Sequence, residues 1–167
     1  MSSKPSLGQL SPDEFRRACA RFATGVCILT TCTHDGAPHG LTVNSFSSLS
    51  LDPPLVMVAI AFSSNQIAAF ERADFFGVNI LAQDQRRLSA HFAHRQEGRF
   101  DTVAWRQGIT GVPLFEGTLG ALECRAVKRF DAGDHRVLIG EAAAAAIHGG
   151  SPLIYFKSAY ASLGELE

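Results

Sequence analysis

Apolar and polar residues alternate with a two-residue period through much of the chain, and three short stretches switch to helical spacing. Ser11-Pro12-Asp13-Glu14 predicts the first helix start. Ser11 suits the N-cap, Pro12 sits where its missing N–H costs nothing, and Glu14 completes an S-x-x-E box. Phe15, Ala18, Cys19 and Phe22 then fall at i, i+3, i+4 and i+7, an apolar stripe that leaves Arg16, Arg17 and Arg21 to solvent. Thr24-Gly25 is expected to end this helix. Residues 26–33 read as a strand, and His34-Asp35-Gly36 as a hairpin turn, with the return strand starting at His39. Alternation continues from Leu41 to Ser45 and slips at residues 46–48, which predicts a bend or bulge. Asp52-Pro53-Pro54 stops the strand, because proline cannot donate to a ladder. Residues 55–62 are continuously apolar and predict a central strand buried on both faces.

Ser63-Ser64-Asn65 is polar, and Ile67, Ala68 and Phe70 after it have helical spacing. Either serine could cap that helix, whose start just after a strand would suit an anion. Residues 75–81 predict a strand with Asn79 as an odd polar guest. Residues 84–92 predict a helix with Leu88 and Phe92 on one face. His91 and His94, with Glu97 beyond, read as exposed or ligand-edge residues, and no metal is expected. Residues 95–113 read as a loop, and 118–130 and 135–147 as two long strands joined by a turn at Asp131-Ala132-Gly133-Asp134. The alanines at 142–146 favour helix, yet the strand-like residues before them assign the run to strand. A last short strand is expected at 153–157. About seven strands and three short helices, without βαβ alternation, indicate a mostly β, mostly antiparallel barrel.

With 167 residues the chain predicts one domain, 1–167, able to bury about 70% of its unfolded surface. A formal net charge of -1 with no basic block gives nucleic acid no electrostatic footprint. No apolar run approaches the roughly 20 residues of a membrane span. The segment MSSKPSLGQL lacks the apolar centre of a signal peptide, so a cytoplasmic location is expected. Cys19, Cys27, Cys32 and Cys124 form no C-x-x-C pair and read as reduced, small core residues. Rossmann, P-loop and α/β-hydrolase signatures are absent, and no carboxylate pair sits in an apolar setting. Any catalysis would therefore rest on a bound cofactor. Residues 40–54 are nearly uncharged and carry Thr42, Asn44, Ser45, Ser47, Ser48 and Ser50. They suit a flat polar ligand or a phosphate held by hydrogen bonds, or simply a hydroxyl-rich edge strand.

The motifs TGVCILTT, GLTVNSFSSLSLDPPLV, FFGVNILAQDQRRLSAHFA, Arg99-Phe100, LECRAV, Gly133-Asp134-His135 and PLIYF, in that order, resemble the short-chain flavin reductases. These are the reductase components of two-component flavin-dependent monooxygenases, and the likeness covers about residues 12–163. It implies an FMN-binding split β-barrel, antiparallel and Greek-key-like. It also implies a homodimer that binds FMN or FAD, takes electrons from NADH or NADPH, and supplies reduced flavin to a separate monooxygenase. Carried over residue by residue, flavin contacts fall on Gly40, Leu41, Thr42, Asn44 and Ser45, and on Ala59, Ile60 and Ala61. Further ones fall on Ser64, Asn65, Gln66, His91 and Phe92, while His135 is implied for the nicotinamide. Three positions depart from the resembled pattern. Val43 stands where a smaller residue is common, which bears on how closely the ring approaches. Asn65 replaces a hydroxylated or basic residue, and Gly98 precedes Arg99-Phe100 where an aspartate is usual. No residue is expected to act as an essential acid or base. The rival expectation is a non-catalytic flavin- or haem-binding module of the same barrel.

Overall fold

The computed structural model describes residues 10–94 and 97–164. In chain order they form α1 (Pro12–Cys19), β1 (Thr24–Gly25), β2 (Cys27–Cys32), β3 (Pro38–Val43), β4 (Ser47–Leu51) and β5 (Pro54–Ala61). There follow α2 (Ile67–Arg72), β6 (Phe75–Ile80), a 3-10 turn at Gln83–Gln85 and α3 (Arg86–Ala93). The remainder is β7 (Trp105–Gln107), β8 (Pro113–Phe115), β9 (Gly120–Ala132), β10 (His135–Ile147), β11 (Ile154–Phe156) and β12 (Ala159–Ala161).

Seven strands form one antiparallel sheet in the order β3-β2-β6-β9-β10-β5-β4. Neighbours distant in sequence, β2 beside β6 and β5 beside β10, make the connections Greek-key-like. One sheet face closes over a core that includes Leu29, Val58, Ile60, Phe76, Val78 and Leu138. Phe76 lies against Gly140, its ring filling the space where a Cβ would stand. A second core, built around Ile28, Leu81, Phe92, Phe100 and Phe115, lies on the other side of β2 under α3.

Burial on both faces falls instead on β2, with five consecutive buried residues, and on β6 beside it, with four. β5 alternates instead, its outer positions Leu55, Met57, Ala59 and Ala61 being half-buried. An apolar run cannot report whether a helix covers its second face, and α3 covers β2. The alanine run is strand, as expected, because Ala142 to Ala146 are held in the long β9–β10 ladder. The irregularity expected at 46–48 comes as a break in strand between β3 and β4 and a register shift between Ser48 and Ser50.

The first helix has its predicted capping box: Glu14 N–H donates to Ser11 Oγ at 3.2 Å and Ser11 N–H to Glu14 Oε2 at 3.1 Å. Its apolar stripe is uncovered, with Phe15 59% and Phe22 77% exposed. Thr24-Gly25, expected as a helix stop, is β1 and pairs with β11. The stretch read as a loop contains the β7–β8 hairpin. β11 turns into β12 through Lys157 and Ser158, both at positive φ (49° and 60°). No Asn-Gly or Asp-Gly marks that turn, so it left no trace in the sequence. Cys27 and Cys124 are core residues, burial pushing both thiols up to about 12, whereas Cys19 is exposed and Cys32 half-buried.

Asn79 is no accident of sequence. Its amide donates to the Ile28 carbonyl and Thr30 Oγ1, both at 3.2 Å, and its carbonyl accepts from Phe115 N–H at 2.9 Å. One side chain thus ties β6 to β2 and β8 without access to water. Glu123 does similar work at the 108–111 loop. It accepts from Ile109 N–H (3.0 Å), Thr110 N–H (2.7 Å) and Thr110 Oγ1 (2.7 Å). Burial pushes its pKa up, but those hydrogen bonds and Arg106 outweigh burial and leave it below the ordinary 4.5.

Two outcomes are expected. Asn79→Leu strands three buried partners and should lower stability by about 1–3 kcal/mol in urea unfolding. For Glu123, a folded-state pKa below the unfolded one means stability present above the unfolded value and lost as pH falls through the folded one. The stability difference between wild type and Glu123→Gln should therefore be full at neutral pH and shrink below pH 4.5. Chemical unfolding at a series of pH values measures both.

Candidate functional site

The two end strands of the sheet do not zip together. β4 pairs with β5 only as far as Met57. Past that point, the edge of β5 faces the segment that leaves β3. Ser45 there takes the place of a strand: its hydroxyl accepts from Ala59 N–H at 3.0 Å and donates to the Ala59 carbonyl at 2.9 Å. Alternate residues of an antiparallel strand present their backbone groups to the same edge, so Ala61 faces this seam as well. Its carbonyl accepts from Ser64 N–H at 2.9 Å and turns the chain back.

Beside the seam lies a cavity of about 190 Å³ lined by Leu41, Thr42, Ala61, Ser63, Ser64, Asn65, Phe92, Ala93 and Arg99. Its polar lining is side-chain hydroxyls, one amide and one guanidinium. α2 contributes little: it has six residues, and Gln66 at its cap makes no side-chain capping bond. Ser64, expected as a cap, accepts from Gln66 N–H at 3.2 Å ahead of the helix.

The other wall is α3, seated on the outer face of β3. Phe92 packs over Gly40, where a Cβ would stand 3.0 Å from the ring. Thr42 Oγ1 donates to the Ser89 carbonyl at 2.7 Å, which leaves its oxygen lone pairs toward the cavity. His91 is occupied with the Arg99 carbonyl, Nε2 at 2.8 Å. Val43 points inward to the core, so its size does not reach the seam.

Arg99 is the part of the site that the sequence reading left out. It is 6% exposed and donates to the carbonyls of Gly40 (2.7 Å), His94 (2.6 Å) and Phe92 (3.4 Å), and to Asn65 Oδ1 (3.4 Å). Burial lowers its pKa from the usual guanidinium value, yet a guanidinium remains a cation at neutral pH. Engaging Asn65 Oδ1 leaves the Asn65 NH₂ group to donate into the cavity. The basic residue absent at position 65 is thus supplied from position 99. Gly98, where an aspartate is usual, has φ +61°, and the Asp101 carboxylate occupies the space of its absent Cβ. The signal in sequence was the Arg99-Phe100 motif, which the resemblance included without giving the arginine a role.

Of the expected residues, Leu41, Thr42, Ala61, Ser64, Asn65 and Phe92 meet at this cavity, with Ser45 and Ala59 at the adjoining seam. Ile60 turns its side chain into the core. Gln66 lies behind, bonded to His39 Nδ1 at 3.1 Å. Asn44 is not at this cavity: it lines a separate cleft with Arg16, Cys19 and Phe22 of the N-terminal segment. His135 begins β10 directly opposite Ala61. Its Nδ1 lies 2.6 Å from Asp134 Oδ1, and that hydrogen bond holds Asp134 below the usual carboxylate range. The ring is thereby oriented with Nε2 outward.

An antiparallel split barrel whose seam is lined this way defines a flavin-reductase-like domain. The chain belongs to that family: residues 19–164 match the flavin reductase like domain. It is 44% identical over 87% of its length to the FMN reductase (NADH) SmoA of Agrobacterium fabrum, covering 83% of that protein. It is 40% identical over 88% of its length to the reductase component of the flavin-dependent trigonelline monooxygenase of Acinetobacter baylyi, but spans only 47% of that chain. Among solved structures, the flavin reductase PheA2 superposes with a TM-score of 0.86 at 37% identity, covering 93% of this chain and 99% of that one.

Ser45→Ala should leave both backbone groups of Ala59 without a partner in the seam. A loss of about 1–3 kcal/mol of stability is expected, together with weaker flavin binding, read by urea unfolding and by quenching of flavin fluorescence.

Proposed function

We propose that the protein is an NADH-dependent flavin reductase that supplies reduced flavin to a separate monooxygenase. One observation carries this reading. A cavity lined with hydroxyls, an amide and a buried arginine adjoins an open strand edge, and that edge ends at Ala61 opposite His135. A bound flavin would supply the redox chemistry, as the acceptor of a hydride from the reduced nicotinamide. What this chain supplies is placement, which is most of what such a transfer needs.

In this reading the backbone of Ala59 and Ala61, with Ser45 keeping the seam open, borders the flavin ring. Thr42, Ser64 and Asn65 hold its sugar and phosphate, with the Arg99 charge behind them. Phe92 fixes the depth of the site through Gly40, and His135 receives the nicotinamide on the far side of Ala61.

The working unit is a homodimer. Apolar side chains that this chain leaves in solvent support it: Phe15, Phe22, Leu51 (95% exposed) and Ile147 (89%). The outer face of β5, only half-buried, can join such an interface. No helix among the described residues is long and apolar enough to cross a membrane. The free cysteines and the NADH requirement fit a cytoplasmic location.

NADH oxidation should be accelerated only when FMN or FAD is present. Steady-state assays with each nicotinamide and each flavin measure this, and flavin binding without turnover would favour the non-catalytic module. His135→Ala should reduce turnover at low NADH several-fold to about tenfold, the loss of one hydrogen bond, and leave flavin affinity unchanged. Sedimentation at micromolar concentration should give the mass of two chains.

A further inference from the structure

The short sheet of β1, β11 and β12 shares no ladder with the seven-stranded one, and the PLIYF motif that builds its middle strand has no place yet in the site. β12 reaches the wall of the seam cavity through Tyr160. Across the ladder Tyr160 pairs with Tyr155 of β11, and the two rings meet edge-on with centroids 5.7 Å apart. On its other side the Tyr160 ring lies under the Arg86 guanidinium, 5.1 Å from the centroid. Its hydroxyl stands 2.9 Å from Ser89 Oγ, in a residue with no exposure to water. Arg86 and Ser89 both belong to α3. Ser89 in turn accepts the Thr42 hydroxyl at its backbone carbonyl, at 2.7 Å. We propose that Tyr160 is a positioning residue for the flavin: through Ser89 it holds α3 where the Thr42 hydroxyl is fixed, and so sets how tightly the cavity grips the ribityl chain. The proposal rests on the flavin-reductase reading.

A threonine hydroxyl has one proton to give. Thr42 gives it to Ser89, so toward the cavity it offers lone pairs alone. A sugar hydroxyl can donate to them, whereas an ionised phosphate oxygen can only accept. If α3 shifted outward, the bond to Ser89 would lengthen and the Thr42 hydroxyl would turn freely, leaving the ligand to order it on binding. The far end of α3 is held by Arg99 at the carbonyls of Phe92 and His94. Its start is held differently. Gln85 makes no side-chain capping bond to the helix; it accepts from Ala82 N–H and donates to the Glu116 carbonyl instead. Tyr160 grips the helix there, at Arg86 in its first position and at Ser89 one turn on. Ser89 meets Tyr160 with its side chain and Thr42 with its carbonyl, so a displacement at one contact is felt at the other.

Tyr160→Phe keeps the ring and removes only the hydroxyl. Steady-state turnover at varied FMN should show KM for FMN raised about three- to tenfold, the loss of one hydrogen bond, with kcat at saturating flavin and KM for NADH retained. Riboflavin, which lacks the phosphate, should lose affinity by the same factor in titrations read by quenching of flavin fluorescence. Thr42→Val removes the hydroxyl through which Tyr160 acts, so in that background Tyr160→Phe should weaken flavin binding no further. Ser89→Ala breaks the same contact from its other side and should reproduce the effect, which keeps the test open if Tyr160→Phe does not fold. Unchanged flavin affinity in these variants, a Tyr160→Phe loss that persists in full beside Thr42→Val, or a fall in kcat without a rise in KM for FMN would overturn the proposal. A wild-type protein that binds neither riboflavin nor FMN would overturn the flavin-reductase reading itself, an outcome separate from a failure of the Tyr160 contact alone.

Discussion

The Ser45–Ala59 contact is the constraint on which the site depends. A sheet that curls on itself would pair its end strands and bury the edge of β5. Here one hydroxyl satisfies both backbone groups of Ala59, so the edge stays hydrogen-bonded without a neighbouring strand. A backbone edge left in an apolar seam without such a partner would cost a desolvation penalty for each group. The side-chain substitute meets that requirement and leaves room beside Ala61 that a strand would have filled.

Around this opening the walls are fixed by polar groups inside the protein. Asn79 locks β6 to β2 and β8, while Arg99 locks the first residues of β3 to the end of α3. Each replaces several water contacts with hydrogen bonds to backbone carbonyls or amides, and each is hard to move without exposing them. The result is a site whose charge and shape exist before a ligand enters, with strands and a docked helix holding the turns that carry Ser64, Asn65 and Arg99.

How far the site was legible in sequence varies residue by residue. Ser11 to Glu14 could be read outright, since a capping box is completed within four residues. The seam residues Thr42, Ser45 and Ser64 were found by resemblance, and their hydroxyl-rich setting pointed the same way. Arg99 was noted in a motif but left out of the site, because its role needs Gly40, Asn65 and His94, residues up to 59 positions away. Asn44 was grouped with Thr42 by resemblance, yet it lines the cleft of the N-terminal segment, beside residues that lie far from it in the chain.

By itself the sequence determined the local features: where strands alternate, where prolines and the Asp-Gly turn stop them, and that the β9–β10 pair is long. These depend on residues close together in the chain, whose spacing carries the period of the element. Only the tertiary structure decided that β2, and not β5, is covered on both faces. It also decided that Trp105 to Gln107 is a strand, and that a lone arginine is the cation of the site. Such properties belong to what packs against a residue, and packing partners come from anywhere in the chain.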